Sequence, residues 1–169
     1  MSRSDKMDMT TNKKIEAFWQ SYLGSLPEGS KPPSTTYEAW HFCDNEKDAN
    51  ELAQLVLAGI KTATCSLMWA YETEGEKLPE VGDLSIITDW DGEPQCIIET
   101  TETRVRAYNE VGADFAYDEG EGDRSLATWR RVHWDAFSRE CAEIGREPGE
   151  SMPLLCERFR VIFPLEMHL

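Results

Sequence analysis

At 169 residues the chain has the size of one domain, long enough to bury a core without metal or disulfide staples. Its 40% apolar, 10% aromatic and 29% charged residues exclude fibrous and low-complexity classes. With 32 acids against 17 bases the formal net charge is −15, a field that repels polyanions and argues against bulk binding to duplex DNA or RNA. A neutral small molecule, or a few unpaired RNA bases read in a local pocket, stays compatible with that field. No apolar run approaches the ~18 residues of a spanning helix, so no membrane partner is expected. The five cysteines are scattered and never form a C-x-x-C pair, and the N-terminus does not read as a signal peptide. Both features point to reduced thiols in a cytoplasmic protein.

Met1 to Asn12 is polar and aperiodic and reads as a flexible leader (1–12), followed by a single domain over 13–165. From Lys13, the residues Ile15, Phe18, Trp19, Tyr22, Leu23 and Leu26 follow a helical repeat with one apolar face. Pro27, Gly29, Pro32 and Pro33 break it into a loop. Tyr37 to Cys43 alternates as a half-buried strand, with His41 on the Tyr37 side and more simply read as structural than catalytic. Asp44 is placed to cap a second helix through Ala49, Leu52, Ala53, Val56 and Leu57, which Gly59 closes.

Leu67 to Tyr71 reads as a short turn of helix or strand and Glu72 to Glu80 as an acidic loop. Leu84 to Thr88 and Gln95 to Arg106 form a predicted hairpin around Asp91-Gly92. Phe115 to Ser125 reads as an acidic, glycine-rich loop. A third helix carries Leu126, Trp129, His133, Phe137, Cys141 and Ile144 on one face, and a last strand runs from Leu154 to Phe163. The order predicts an α+β domain with helices around a small mixed sheet or barrel.

Chemistry concentrates in Gly59-Ile-Lys-Thr-Ala-Thr-Cys-Ser66, just beyond the second helix. A lysine serves as a base only if its pKa falls from about 10.4, and a threonine is a nucleophile only beside such a base. The bland reading is that Gly59 caps the helix, Lys61 complements its last carbonyls, and Thr62 and Thr64 begin a strand. Cys65 reads as a small buried thiol with a conceivable nucleophilic role. The acidic run Asp118 to Asp123 lacks the terminal glutamate of a calcium loop, since Arg130 stands there. His41, His133 and His168 show no ligand spacing with each other or with the cysteines, so no metal is expected. No phosphate-binding fingerprint is present, so no cofactor is expected.

Taken together, Gly59-Ile-Lys61-Thr-Ala-Thr64 resembles the G-x-K-x-x-T signature of the ASCH family. Gly82-Asp83 opening a strand, Cys96-Ile-Ile-Glu99 followed by Thr101, and Glu157-Arg-Phe-Arg-Val161 support the resemblance over roughly residues 37 to 163. It implies a PUA-like domain, a small mixed β-barrel with flanking helices. The family was proposed to bind RNA, and some members are described as ribonucleases. Another member is a small amidohydrolase that removes the acyl group of N4-acetylcytidine.

By motif, the catalytic set implied is Lys61, Thr64 and Glu121, with Glu119 as second choice for the acid. Ser66, Trp69, Glu99 and Glu119 are candidate substrate-binding residues. If Glu121 is ionised beside Lys61, the lysine stays protonated and holds an oxyanion; if Glu121 is protonated, Lys61 can be the base. Ser66-Leu67 stands where the small amidohydrolase has an Arg-Asp pair, and the N-terminal helix is an addition, as in the larger ASCH branch. The expected partners are therefore a small nucleoside or a few unpaired RNA bases. The sequence does not specify an oligomeric state.

Overall fold

The computed structural model describes residues 9–165. The first helix, α1 (Met9–Ser25), begins four residues before the periodicity marks it, so the end of the expected leader is helical. The rest of that leader lies outside the described residues. Then come β1 (Glu38–Trp40), α2 (Glu46–Leu57), β2 (Ala63–Leu67), α3 (Met68–Glu74), β3 (Leu84–Thr88) and β4 (Pro94–Ala107), followed by α4 (Ala113–Glu119), α5 (Leu126–Glu143) and β5 (Pro153–Phe163). Among the described residues, no helix is long and apolar enough to cross a membrane.

The strands form one mixed sheet in the order β1-β3-β4-β5-β2, with β1 parallel to β3 and the other pairs antiparallel. The long β4–β5 ribbon carries register shifts at Ile97/Ile98 and Thr100/Glu102. Bulges of this kind bend a ribbon and increase its twist, which lets the sheet curl into a half-barrel. Alternation then divides the core. Ile86 packs with Ile15, Trp19 and Tyr22 of α1, whereas its neighbour Ile87 packs with Leu52, Ala53 and Val56 of α2. A third cluster joins Ala63, Cys65 and Leu67 of β2 to Phe115 of α4 and to Trp129 and Phe137 of α5.

Several sequence expectations need correction. Asn45, not Asp44, caps α2, its side chain accepting from the Asp48 amide at 2.9 Å. The first strand is shorter than Tyr37 to Cys43, because Cys43 takes a left-handed φ of 60° that no strand residue adopts. Of the two readings of Leu67 to Tyr71, helix is the one found, and Met68–Glu74 extends it into the start of the expected acidic loop. Ala113–Glu119 is a helix, not part of a loop: Phe115 and Ala116 bury one side of it, and its C-terminus carries Gly120 at φ +74°. Only residues 120–125 remain as the acidic loop.

That α4 turn fixes the site. Ile60 and Lys61 both donate their amides to Leu55 O, at 3.0 and 3.1 Å, which folds the chain back over the end of α2. Thr62 then donates to Asp118 O at 2.8 Å and accepts from the Phe159 amide at 3.0 Å. Lys61 is thereby pinned between α2, α4 and β5. Gly120 lies so close that a Cβ there would sit 2.6 Å from the Ile60 carbonyl oxygen. Gly120→Ala should lower stability by at least about 1–2 kcal/mol, the cost of a left-handed backbone alone. A shift in the urea unfolding midpoint worth less than about 0.5 kcal/mol would contradict this placement.

Candidate functional site

Lys61 is 1% exposed, an exceptional position for a lysine. Its amine donates to Ala63 O at 2.8 Å and to Glu119 O at 3.3 Å, and pairs with Glu121 Oε2 at 3.1 Å. Glu119 Oε1 stands 3.7 Å away, and the Phe42 ring closes one side at 5.3 Å. None of these partners is a last-turn carbonyl of α2, so the side chain does not serve the helix end. Burial alone would pull the Lys61 pKa down, but the Glu121 and Glu119 carboxylates outweigh it and hold the pKa above the ordinary lysine value.

Glu119 is likewise 1% exposed. Trp129 Nε1 donates to its Oε2, His133 Nε2 lies 3.1 Å from the same oxygen, and the Cys65 thiol points at it from 3.8 Å. Burial would raise this carboxyl's pKa, yet the positive charges of His133 and Lys61 and the two hydrogen bonds hold it at about 2. His133 in turn has its pKa raised: burial disfavours its charge, but Glu119 more than compensates.

Cys65, Glu119 and His133 bring possible ligand atoms within 4.8 Å of one another, a convergence that spacing along the chain does not reveal. In the arrangement seen here Cys65 and His133 both hydrogen-bond to Glu119. Donors surround one acceptor oxygen, and burial and the adjacent carboxylate push the Cys65 thiol well above its usual range. The same shift argues against Cys65 as a nucleophile.

Glu121 is the member of the cluster that meets solvent, its side chain being 25% exposed. Its loop is held down by Arg124, itself at a left-handed φ of 64°. The Arg124 guanidinium lies 3.6 Å from the Tyr117 ring centre and donates to Tyr117 O at 2.9 Å and Ile60 O at 3.4 Å. Cys43 stands nearby, feeling the charges of both Glu121 and Lys61; burial is the main force lifting its thiol to about 12.

The structure thus joins Lys61, Glu121 and Glu119 in one cluster. Thr64 is 6% exposed on β2, one step out of phase with Ala63 and Cys65, and its hydroxyl makes no hydrogen bond to Lys61. Ser66 shares the Thr64 phase, opposite Leu155. Glu99 pairs with Arg160 at 3.1 Å, and Trp69 lies beside the Arg146 guanidinium at 4.7 Å; neither pairs with Lys61. A cleft of about 410 Å³ beside the motif is lined by Gly59, Lys61, Thr62, Phe159 and Arg160, among others, whereas Thr64, Glu99 and Glu121 do not line it.

Fold and site together define a mixed α+β domain of the PUA-like kind, with a buried lysine–carboxylate cluster where the second helix meets the sheet. The ASCH domain model matches residues 38–163, and the chain belongs to this family. It is similar to the crystal structure of an ASCH domain from Lactobacillus crispatus JV V101, with 45% identity, TM-score 0.84, and coverage of 88% of this chain and 94% of that one. It is also similar to protein EF3133 from Enterococcus faecalis V583, with 32% identity, TM-score 0.78, and coverage of 94% and 99%. No curated protein matches.

Removing one member of an enclosed ion cluster leaves the others uncompensated, so Glu119→Ala should cost about 3–5 kcal/mol in urea unfolding, and Glu119→Gln less. The depressed Glu119 pKa gives stability present above about pH 4.5 and lost as pH falls towards 2. The raised His133 pKa gives stability present below pH 6.5 and lost as pH rises through its folded value. Glu119→Gln should flatten both slopes. An unchanged pH–stability curve would count against the assigned charges.

Proposed function

We propose that this protein is a metal-independent amidohydrolase acting on a modified pyrimidine nucleoside such as an N4-acylcytidine. The observation that carries the reading is the 3.1 Å pair between enclosed Lys61 and half-open Glu121. Because the lysine pKa is raised, Lys61 is an ammonium that holds the developing oxyanion, and the role of base falls to Glu121. In the proposed reaction a nucleophile oxygen bonds to the acyl carbon while Glu121 takes its proton. The C–N bond then breaks as Glu121 returns that proton to the leaving amine.

The nucleophile is Thr64, whose ester water then hydrolyses, or water itself. Ser66 and Glu99 are carried as substrate-side residues on the family resemblance, as is Trp69. Glu119, being enclosed, supports the site from behind. A cytoplasmic setting belongs to this reading, and no disulfide joins any of the five cysteines.

Purified protein should convert N4-acetylcytidine or longer N4-acylcytidines to cytidine, followed by chromatography. Lys61→Ala should lower kcat/KM by about 10²–10³, and Glu121→Gln by about 10²–10⁴. Thr64→Ala separates the two nucleophiles, abolishing turnover only if the hydroxyl attacks. Wild-type turnover no faster than that of Lys61→Ala would overturn the proposal.

The second reading, an RNA-reading module with or without cleavage, draws support from a cleft of about 310 Å³ lined by Arg104, Arg106 and Arg158 and from Trp90, 38% exposed. Glu102, Glu110 and Asp114 line the same cleft, and Asp118 pairs with Arg158, which weakens its pull on phosphate. Titration with single-stranded RNA at stepped salt concentrations tests it, and no binding at low salt removes it.

A further inference from the structure

Lys61 and Glu121 have roles in the proposed chemistry, but the buried imidazole behind them does not. His133 is 5% exposed on α5, its ring stacked on Trp129 at 4.3 Å with an interplanar angle of 16° and flanked by Phe137 at 5.7 Å. These rings fix its orientation. Nδ1 lies 2.8 Å from Trp129 O. A carbonyl only accepts, so Nδ1 carries hydrogen. Nε2 lies 3.1 Å from Glu119 Oε2. A neutral ring with its hydrogen on Nδ1 would aim a lone pair at that oxygen, so a proton must lie between the two atoms.

The remaining neighbours of Glu119 decide where that proton resides. Trp129 Nε1, the Lys61 amine and the Cys65 thiol are donors or cations directed at the carboxylate, and they favour its anion. The proton therefore belongs to the ring. The charged groups around the imidazole are Glu119 at the end of α4, Glu121 in the following loop, and Lys61, which acts across Glu119. Two cations and two carboxylates then balance. With a neutral His133, Lys61 would have to balance both Glu119 and Glu121.

We propose that His133 is a positioning residue, a buried imidazolium that neutralises Glu119 and so leaves the Lys61 ammonium to Glu121 at the mouth of the site. The consequence for catalysis rests on the hydrolase reading, whereas the charge state of the ring does not.

The test uses the full chain labelled with ¹⁵N-histidine, followed by long-range ¹H–¹⁵N correlation from pH 5 to 9. Both ring nitrogens of His133 should be protonated at pH 7.5, where an ordinary histidine, with a pKa near 6.5, is mostly neutral. Glu119→Gln should lower the His133 midpoint by about one unit or more, and Glu121→Gln should lower it less. A neutral tautomer in the folded wild-type protein at pH 7.5, or a midpoint indifferent to Glu119→Gln, would overturn the proposal.

On an N4-acylcytidine that the wild type hydrolyses, His133→Gln should reduce kcat about 10-fold or more, leave KM nearly unchanged and displace the alkaline limb of the pH–rate profile. A folded His133→Gln protein with the wild-type profile would remove the positioning role. Wild-type protein inert on every N4-acylcytidine would strike the hydrolase reading instead, and the ring-nitrogen signals would then decide this proposal alone.

Discussion

A carboxylate sealed away from water must be surrounded by donors, and the Glu119 side chain is the point on which this site depends. Its two oxygens bring together an indole on α5, an imidazole one turn later, a thiol on β2 and the amine of Lys61. The isolated burial of either Lys61 or Glu119 would be strongly unfavourable; together with His133 and Glu121 the cluster is electrically balanced. Removing one member changes the ionisation of all the others. The four groups are better regarded as one titrating unit than as a catalytic pair with bystanders.

The backbone brings these parts together with little freedom. The αL glycine after α2 turns the chain, Leu55 O takes two successive amides, and Thr62 bonds to both Asp118 of α4 and Phe159 of β5. Lys61 therefore has its main chain tied on three sides before its side chain makes any contact. The Gly120 turn packs directly on that main chain. This explains how two segments about sixty residues apart meet at hydrogen-bond distance, and why the close approach requires a residue without a Cβ at Gly120.

The α+β class, α2, α5, the β3–β4 hairpin and the closing strand were legible because each has a strong apolar period or a clear turn signal. Lys61 and Glu121 were legible as candidates through the motif and the acidic run. Helix α4 was hidden because Gly120 and Gly122 gave residues 115–119 the look of a loop, although Phe115 and Ala116 anchor it in the core. His133 and Trp129 fell on the apolar face of α5, where the period marks them as core, and indeed they are core. Their polar atoms act from within it. A tryptophan and a histidine four apart on one buried face, each with a polar nitrogen needing a partner, was the available signal, but the partner comes from another element and no local pattern identifies it. Likewise, residue spacing alone did not show that Cys65, Glu119 and His133 converge.

Charge links the site to the rest of the molecule. The chain carries a net −15, yet the cluster around Lys61 is internally neutral, so the site offers a substrate no uncompensated cation. A phosphate-bearing molecule would approach against the field of the whole protein and find the lysine already engaged by Glu121. The neutral amide of the proposed reaction meets neither obstacle. On the proposed reading its carbonyl oxygen takes the place of one of the Lys61 ammonium's present partners, beside a carboxylate 25% open to solvent. On the proposed hydrolase reading, the balance of charge within the site and its imbalance outside act in the same direction, favouring neutral nucleosides over nucleotides.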